Sequence, residues 1–117
     1  FFVNLPECFY SITSDKLAEE LAGADLPFMV DVRSKVEWDK DGYIEGSISL
    51  PDIKTDCASL AKAIPKKNAP SLFYCNGPKC GRSAKAIQIA LKCGYSNIYW
   101  FRGGFEEWQQ KGYPYVK

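Results

Sequence analysis

Along the chain, short continuous apolar runs alternate with longer stretches whose apolar positions recur at helical spacing. Phe28-Met29-Val30-Asp31-Val32 and Ser71-Leu72-Phe73-Tyr74-Cys75 read as buried strands, the second being the clearest in the chain. Ser47 to Leu50, closed by Pro51, and Asn97 to Phe101 read as two more. The stretches between them are amphipathic. Ser14 is placed to cap a helix through about Ala22, with Leu17, Ala18 and Leu21 on one face and Gly23 ending it. Ser34 and Glu37 stand at capping-box spacing and start a short helix that fails by Asp41-Gly42. A helix from about Asp56 to Ile64 stacks Leu60 and Ile64, and the turn from Pro65 to Pro70 follows. A helix from about Arg82 to Lys92 carries Ala86, Ile87, Ala90 and Leu91, with Gly94 where the residue after a helix end belongs. Gly103-Gly104 marks a tight turn before a last helix, Phe105 to Lys111. The segment ahead of Ser14 carries no pattern and reads as irregular.

Parallel strands need crossover connections, and here helices lie between the strands. The expected architecture is therefore an α/β fold, a mostly parallel central sheet with helices on both faces. Sheets of this kind bind ligands outside the carboxyl ends of their strands. The chain has 117 residues, which suits one domain spanning 1–117. No apolar run approaches the roughly 18 to 20 residues that span a bilayer. Fifteen Lys and Arg against fourteen Asp and Glu leave a net charge of +1, far from the basic excess of a phosphate-binding surface, so nucleic acid is not an expected partner.

Histidine is absent, which excludes Ser-His-Asp and Cys-His hydrolases and most catalytic zinc sites. The five cysteines, Cys8, Cys57, Cys75, Cys80 and Cys93, include no CxxC pair, so no metal is expected, and an odd number leaves at least one thiol free or paired outside the chain. The segment Cys75-Asn76-Gly77-Pro78-Lys79-Cys80-Gly81-Arg82-Ser83 carries the most chemistry. It sets a thiol at the carboxyl end of a strand and a helix start just beyond it. Backbone amides of a glycine-containing loop, the positive end of the following helix, Lys79 and Arg82 all favour negative charge at the loop's centre. A cysteine facing such a cradle reacts as thiolate. The plainer alternative is that Cys75 is a buried strand residue and Gly and Pro only mark a turn.

Ordered motifs over nearly the whole chain resemble the rhodanese-like domain family. They are Asp31-Val32-Arg33, Glu37-Trp38, Gly42-Tyr43-Ile44-Glu45-Gly46-Ser47-Ile48, the Cys75 loop with Arg82-Ser83-Ala84, Gly94-Tyr95, Phe101-Arg102-Gly103-Gly104-Phe105-Glu106-Glu107-Trp108 and Gly112-Tyr113-Pro114. The resemblance implies a sulfurtransferase fold in which Cys75 carries sulfur as a persulfide. It also implies that the loop amides and Arg82 hold a charged sulfur substrate. The binding loop would comprise Asn76, Gly77, Pro78, Lys79, Gly81 and Ser83, with no cofactor. Two departures stand out. Gly42-Tyr43-Ile44 replaces the family's frequent Gly-His-Ile, a change expected to affect loop packing alone. Six residues separate Cys75 from Arg82, where common rhodanese loops have four and the related phosphatases and arsenate reductases five. The wider loop weakens any transfer of substrate preference, and it adds Cys80.

The expected reaction takes sulfane sulfur from thiosulfate, polysulfide or a persulfide donor onto Cys75 and passes it to cyanide or an acceptor thiol, including a protein thiol. Cys80 is a candidate resolving thiol, set against a bystander role in the longer loop. A redox- or sulfide-sensing binding module is the alternative, and a phosphatase or arsenate reductase a lesser one. Asp31 and Arg33 read as a structural ion pair near the site, and Trp38, Trp100 and Trp108 as packing residues. Cys57 and Cys93 read as small buried hydrophobes, and Lys62, Lys66 and Lys67 as a solvated face. The opening Phe1-Phe2-Val3 without Met, together with a potential disulfide in the loop, points toward a periplasmic or otherwise exported protein, with the cytoplasm as the alternative.

Overall fold

The computed structural model describes residues 9–117. Five strands form one parallel sheet in the order β1-β5-β4-β2-β3. They are β1 (Phe9–Ser11), β2 (Phe28–Asp31), β3 (Ser47–Ser49), β4 (Ser71–Tyr74) and β5 (Ile98–Phe101). The helices are α1 (Ser14–Leu21), α2 (Lys35–Asp41), α3 (Cys57–Ala63), α4 (Arg82–Lys92) and α5 (Gly104–Gln110). Their boundaries fall within one or two residues of the expected ones.

Alternation along the strands sorts side chains into two cores. Val30, Phe73 and Ile98 pack with Leu60 of α3, Ile64 just after it, and Ala86, Ile87 and Ala90 of α4. Met29, Leu72, Tyr74 and Phe101 pack on the other face with Leu17 of α1 and Phe105 and Trp108 of α5. Helices thus cover both faces, as a parallel sheet requires. Cys75 continues the alternation of β4 and falls on the α3/α4 side.

Several local readings change. Residues 9–11, expected to be irregular, form β1 and pair with Ile98, Tyr99 and Trp100. Thr13, not Ser14, caps α1: it is extended and its hydroxyl accepts from the Lys16 amide at 3.1 Å. Cys57 and Cys93 are not independent small hydrophobes but a disulfide with Cα atoms 5.5 Å apart, because packing sets the first residue of α3 beside the end of α4. Lys62, Lys66 and Lys67 are exposed as expected, and the Lys67 ammonium donates to the Cys93 carbonyl at 2.5 Å. Cys8 lies outside the described residues. Among them, no helix is long and apolar enough to cross a membrane.

Candidate functional site

The site sits past the carboxyl ends of β2 and β4, resting on a buried polar frame. Arg33 is fully buried and donates through Nε and Nη2 to the Asp31 carboxylate, with the shortest contact 2.6 Å. Its Nη2 also donates to the Gly42 carbonyl at 2.7 Å, and the guanidinium lies 4.4 Å from the centre of the Phe105 ring. A buried guanidinium held this way is fixed in place and unavailable to a substrate. Its remaining contact runs to the loop, where Nη1 donates to Asn76 Oδ1 at 3.4 Å. Tyr74, next to Cys75, is pushed well up in pKa by burial, and its phenol oxygen accepts from the Ile44 amide at 3.2 Å.

The loop between β4 and α4 hangs from this frame and from α5. The amides of Phe105 and Glu106 donate to the carbonyls of Cys75 and Asn76 at 2.9 and 2.8 Å. Gly104 makes that approach possible: it adopts a φ of +70°, and a Cβ there would sit 2.6 Å from the Asn76 backbone. The Cys80 amide closes a turn onto the Gly77 carbonyl at 3.1 Å. Side-chain hydrogen bonds cap the amino ends of α1, α2 and α3, but Gly81 before α4 supplies none. The first amides of α4 are therefore left facing the loop, with the positive end of the helix dipole behind them.

Cys75 is 1% exposed and is joined to the half-buried Cys80 by a disulfide, with Cα atoms 6.3 Å apart. Beside Cys80 lies an open depression of about 440 Å³ lined by Asn76, Gly77, Pro78, Lys79, Cys80 and Glu106. Arg82 does not point its Nη groups into this space. Both donate to Glu37, at 2.7 and 3.1 Å, and Nε donates to Cys80 Sγ at 3.1 Å. The Arg82 guanidinium holds the Glu37 carboxyl far below the usual carboxylate range, and Glu37 in turn raises the Arg82 pKa. Asn76 turns inward too, its Nδ2 donating to Glu37 at 2.5 Å. Ser83 is buried on α4 and accepts from Trp100 Nε1 at 2.9 Å, so its side chain is part of the packing. Lys79 is exposed at the rim.

Glu37 ties Ser34, Asn76 and Arg82 together, a role beyond its place in a helix cap. Its pairing with Trp38 in the family motif was the only signal for this. Trp38 itself stacks on Tyr43 at 3.7 Å between ring centres, so the residue standing in place of the family's frequent histidine packs a loop.

Comparison with known proteins agrees with this fold. The rhodanese-like domain matches residues 13–111. The chain belongs to that family. Among rhodanese-like relatives, it is 32% identical over 94 residues to the rhodanese domain-containing protein CG4456 of Drosophila melanogaster, covering 72% of this chain and 83% of that protein. It is 29% identical over 105 residues to the probable adenylyltransferase/sulfurtransferase MoeZ of Mycobacterium tuberculosis, covering 89% of this chain but only 26% of MoeZ. The BH2092 protein of Bacillus halodurans shares the fold, with a TM-score of 0.80 at 24% identity over 93% of this chain and 77% of that one.

Proposed function

We propose that this rhodanese-like domain is a sulfurtransferase that carries sulfane sulfur as a persulfide on Cys75. The reduced Cys75 thiolate attacks the outer sulfur of thiosulfate, forming Cys75–S–S⁻ and releasing sulfite; polysulfides and persulfides would serve as donors in the same way. With no histidine in the chain, the thiolate is favoured by electrostatics, from the uncapped amides of α4 and the loop. The observation that carries the reading is the meeting of Cys75 and Cys80 at this helix start. An acceptor thiolate attacking the outer sulfur regenerates Cys75. Alternatively, Cys80 attacks the Cys75 sulfur, expels hydrosulfide and leaves the disulfide, which external thiols then reduce. Exposed Val36 and Ile53, on segments that follow β2 and β3, favour a protein as bearer of the acceptor thiol. Two disulfides in one small domain suit an exported, oxidising setting.

Turnover tests the reading. With excess thiosulfate and cyanide or a thiol, the reduced protein should release sulfite well beyond one equivalent. Release that stops at one equivalent would instead favour the second reading, a redox or sulfide sensor. That reading draws on the same disulfide, since a loop able to close on itself can report the surrounding thiol poise.

A further inference from the structure

The two sulfurs of the loop disulfide differ in access and in partners. Cys75 lies in the core with Val32, Phe73 and Ala86, whereas Cys80 is half-buried and lines the open depression that Lys79 and Glu106 border. Exchange requires a thiolate to reach the sulfur that it attacks. In the oxidised loop, enclosure shields Cys75 and leaves Cys80 within reach.

We infer that the oxidised loop oxidises external thiols without any sulfane sulfur and that they enter at Cys80, a route the reductive step of the proposed cycle would share. In the first step a thiolate RS⁻ attacks Cys80 Sγ, the Cys75–Cys80 bond breaks, and RS–S–Cys80 forms. The Cys75 thiolate leaves toward the uncapped amino end of α4. In the second step another RS⁻ attacks the RS sulfur of the mixed disulfide, giving RSSR and the Cys80 thiolate. Arg82 Nε, already 3.1 Å from Cys80 Sγ, donates to that departing sulfur. Two thiols are oxidised to one disulfide, the loop is reduced to a dithiol, and two electrons move. Each leaving thiolate thus has its own stabilising group. Arg82 would also favour Cys80 as the leaving group of an attack on Cys75, but that preference acts only on a nucleophile that reaches the enclosed sulfur.

The inference uses the loop to which sulfur transfer is assigned, yet it needs no sulfane sulfur and no persulfide. Its failure and the failure of the transferase reading are therefore separable. The oxidised wild-type protein is mixed with reduced glutathione below one equivalent, quenched in acid at early times, labelled with a maleimide and sequenced by tandem mass spectrometry. The expected product carries glutathione on Cys80 and maleimide on Cys75. Glutathione on Cys75 with maleimide on Cys80 would overturn the inference, as would a loop disulfide that stays intact in a large excess of glutathione.

Discussion

The two disulfides join cysteines at very different separations, 36 residues for Cys57–Cys93 and 5 for Cys75–Cys80. In a chain-entropy account, the longer bridge removes more freedom from the unfolded chain, worth about 4 kcal/mol against about 2 kcal/mol for the shorter. Their surroundings differ more than their lengths. The long bridge pins the start of α3 to the end of α4, with Lys67 on the Cys93 carbonyl. The short one lies at the opposite end of α4, against an arginine Nε and an uncapped helix start. One bond type thus clamps two helices in one place, and in the other lies where the proposed sulfur chemistry would take place.

Cys75→Ala tests that division most severely. Sulfur loading should fall to background in a mass assay, while stability drops only by the share of the short bridge, about 2 kcal/mol. Replacing Cys57 and Cys93 together by Ala should do the reverse. We expect a loss of about 4 kcal/mol, a fall in Tm of roughly 10 to 20 °C by calorimetry, with loading of Cys75 retained. If loading vanished with the clamp, the two bridges would not be separable. Arg82→Ala should weaken loading from an anionic donor by about 1 to 3 kcal/mol, read as kcat/KM, and Lys79→Ala by less, because its ammonium is exposed to solvent.

Glu37→Gln has the smallest expected effect, about 1 kcal/mol at neutral pH, since the Arg82 pair is partly exposed. Its pH dependence is the sharper readout. The Glu37 carboxyl is depressed by Arg82, so its contribution is complete above the unfolded value near about 4.3 and fades as pH falls below it. Urea unfolding of wild type and variant should therefore differ at pH 7 and converge toward pH 2. A gap that stays constant over that range would contradict the role given to the pair.

Sheet, helices and loop were readable where a local pattern carries them. The run around Phe73 has no helical alternative before Pro70 is passed, and the apolar face of α4 repeats at helical spacing up to Gly94. Strand β1 was hidden because three residues hold no period, and its partner β5 lies at the far end of the chain. The Cys57–Cys93 bridge left no local trace, being made by the packing of two helices. Glu37 was legible only in part: its spacing from Ser34 accounts for it as a helix cap, and the Glu37-Trp38 motif marks it without naming a partner 45 residues away. Likewise Arg82 read as a free cation, because sequence does not show a carboxylate brought in from another helix.

The most direct measurement of the central claim is peptide mass spectrometry on reduced protein after exposure to thiosulfate, polysulfide or a low-molecular-weight persulfide. One additional sulfur atom on Cys75, removed by dithiothreitol and absent from Cys57 and Cys93, is the expected result. An additional sulfur found on Cys80 alone, or on no cysteine with any of the three donors, would contradict it.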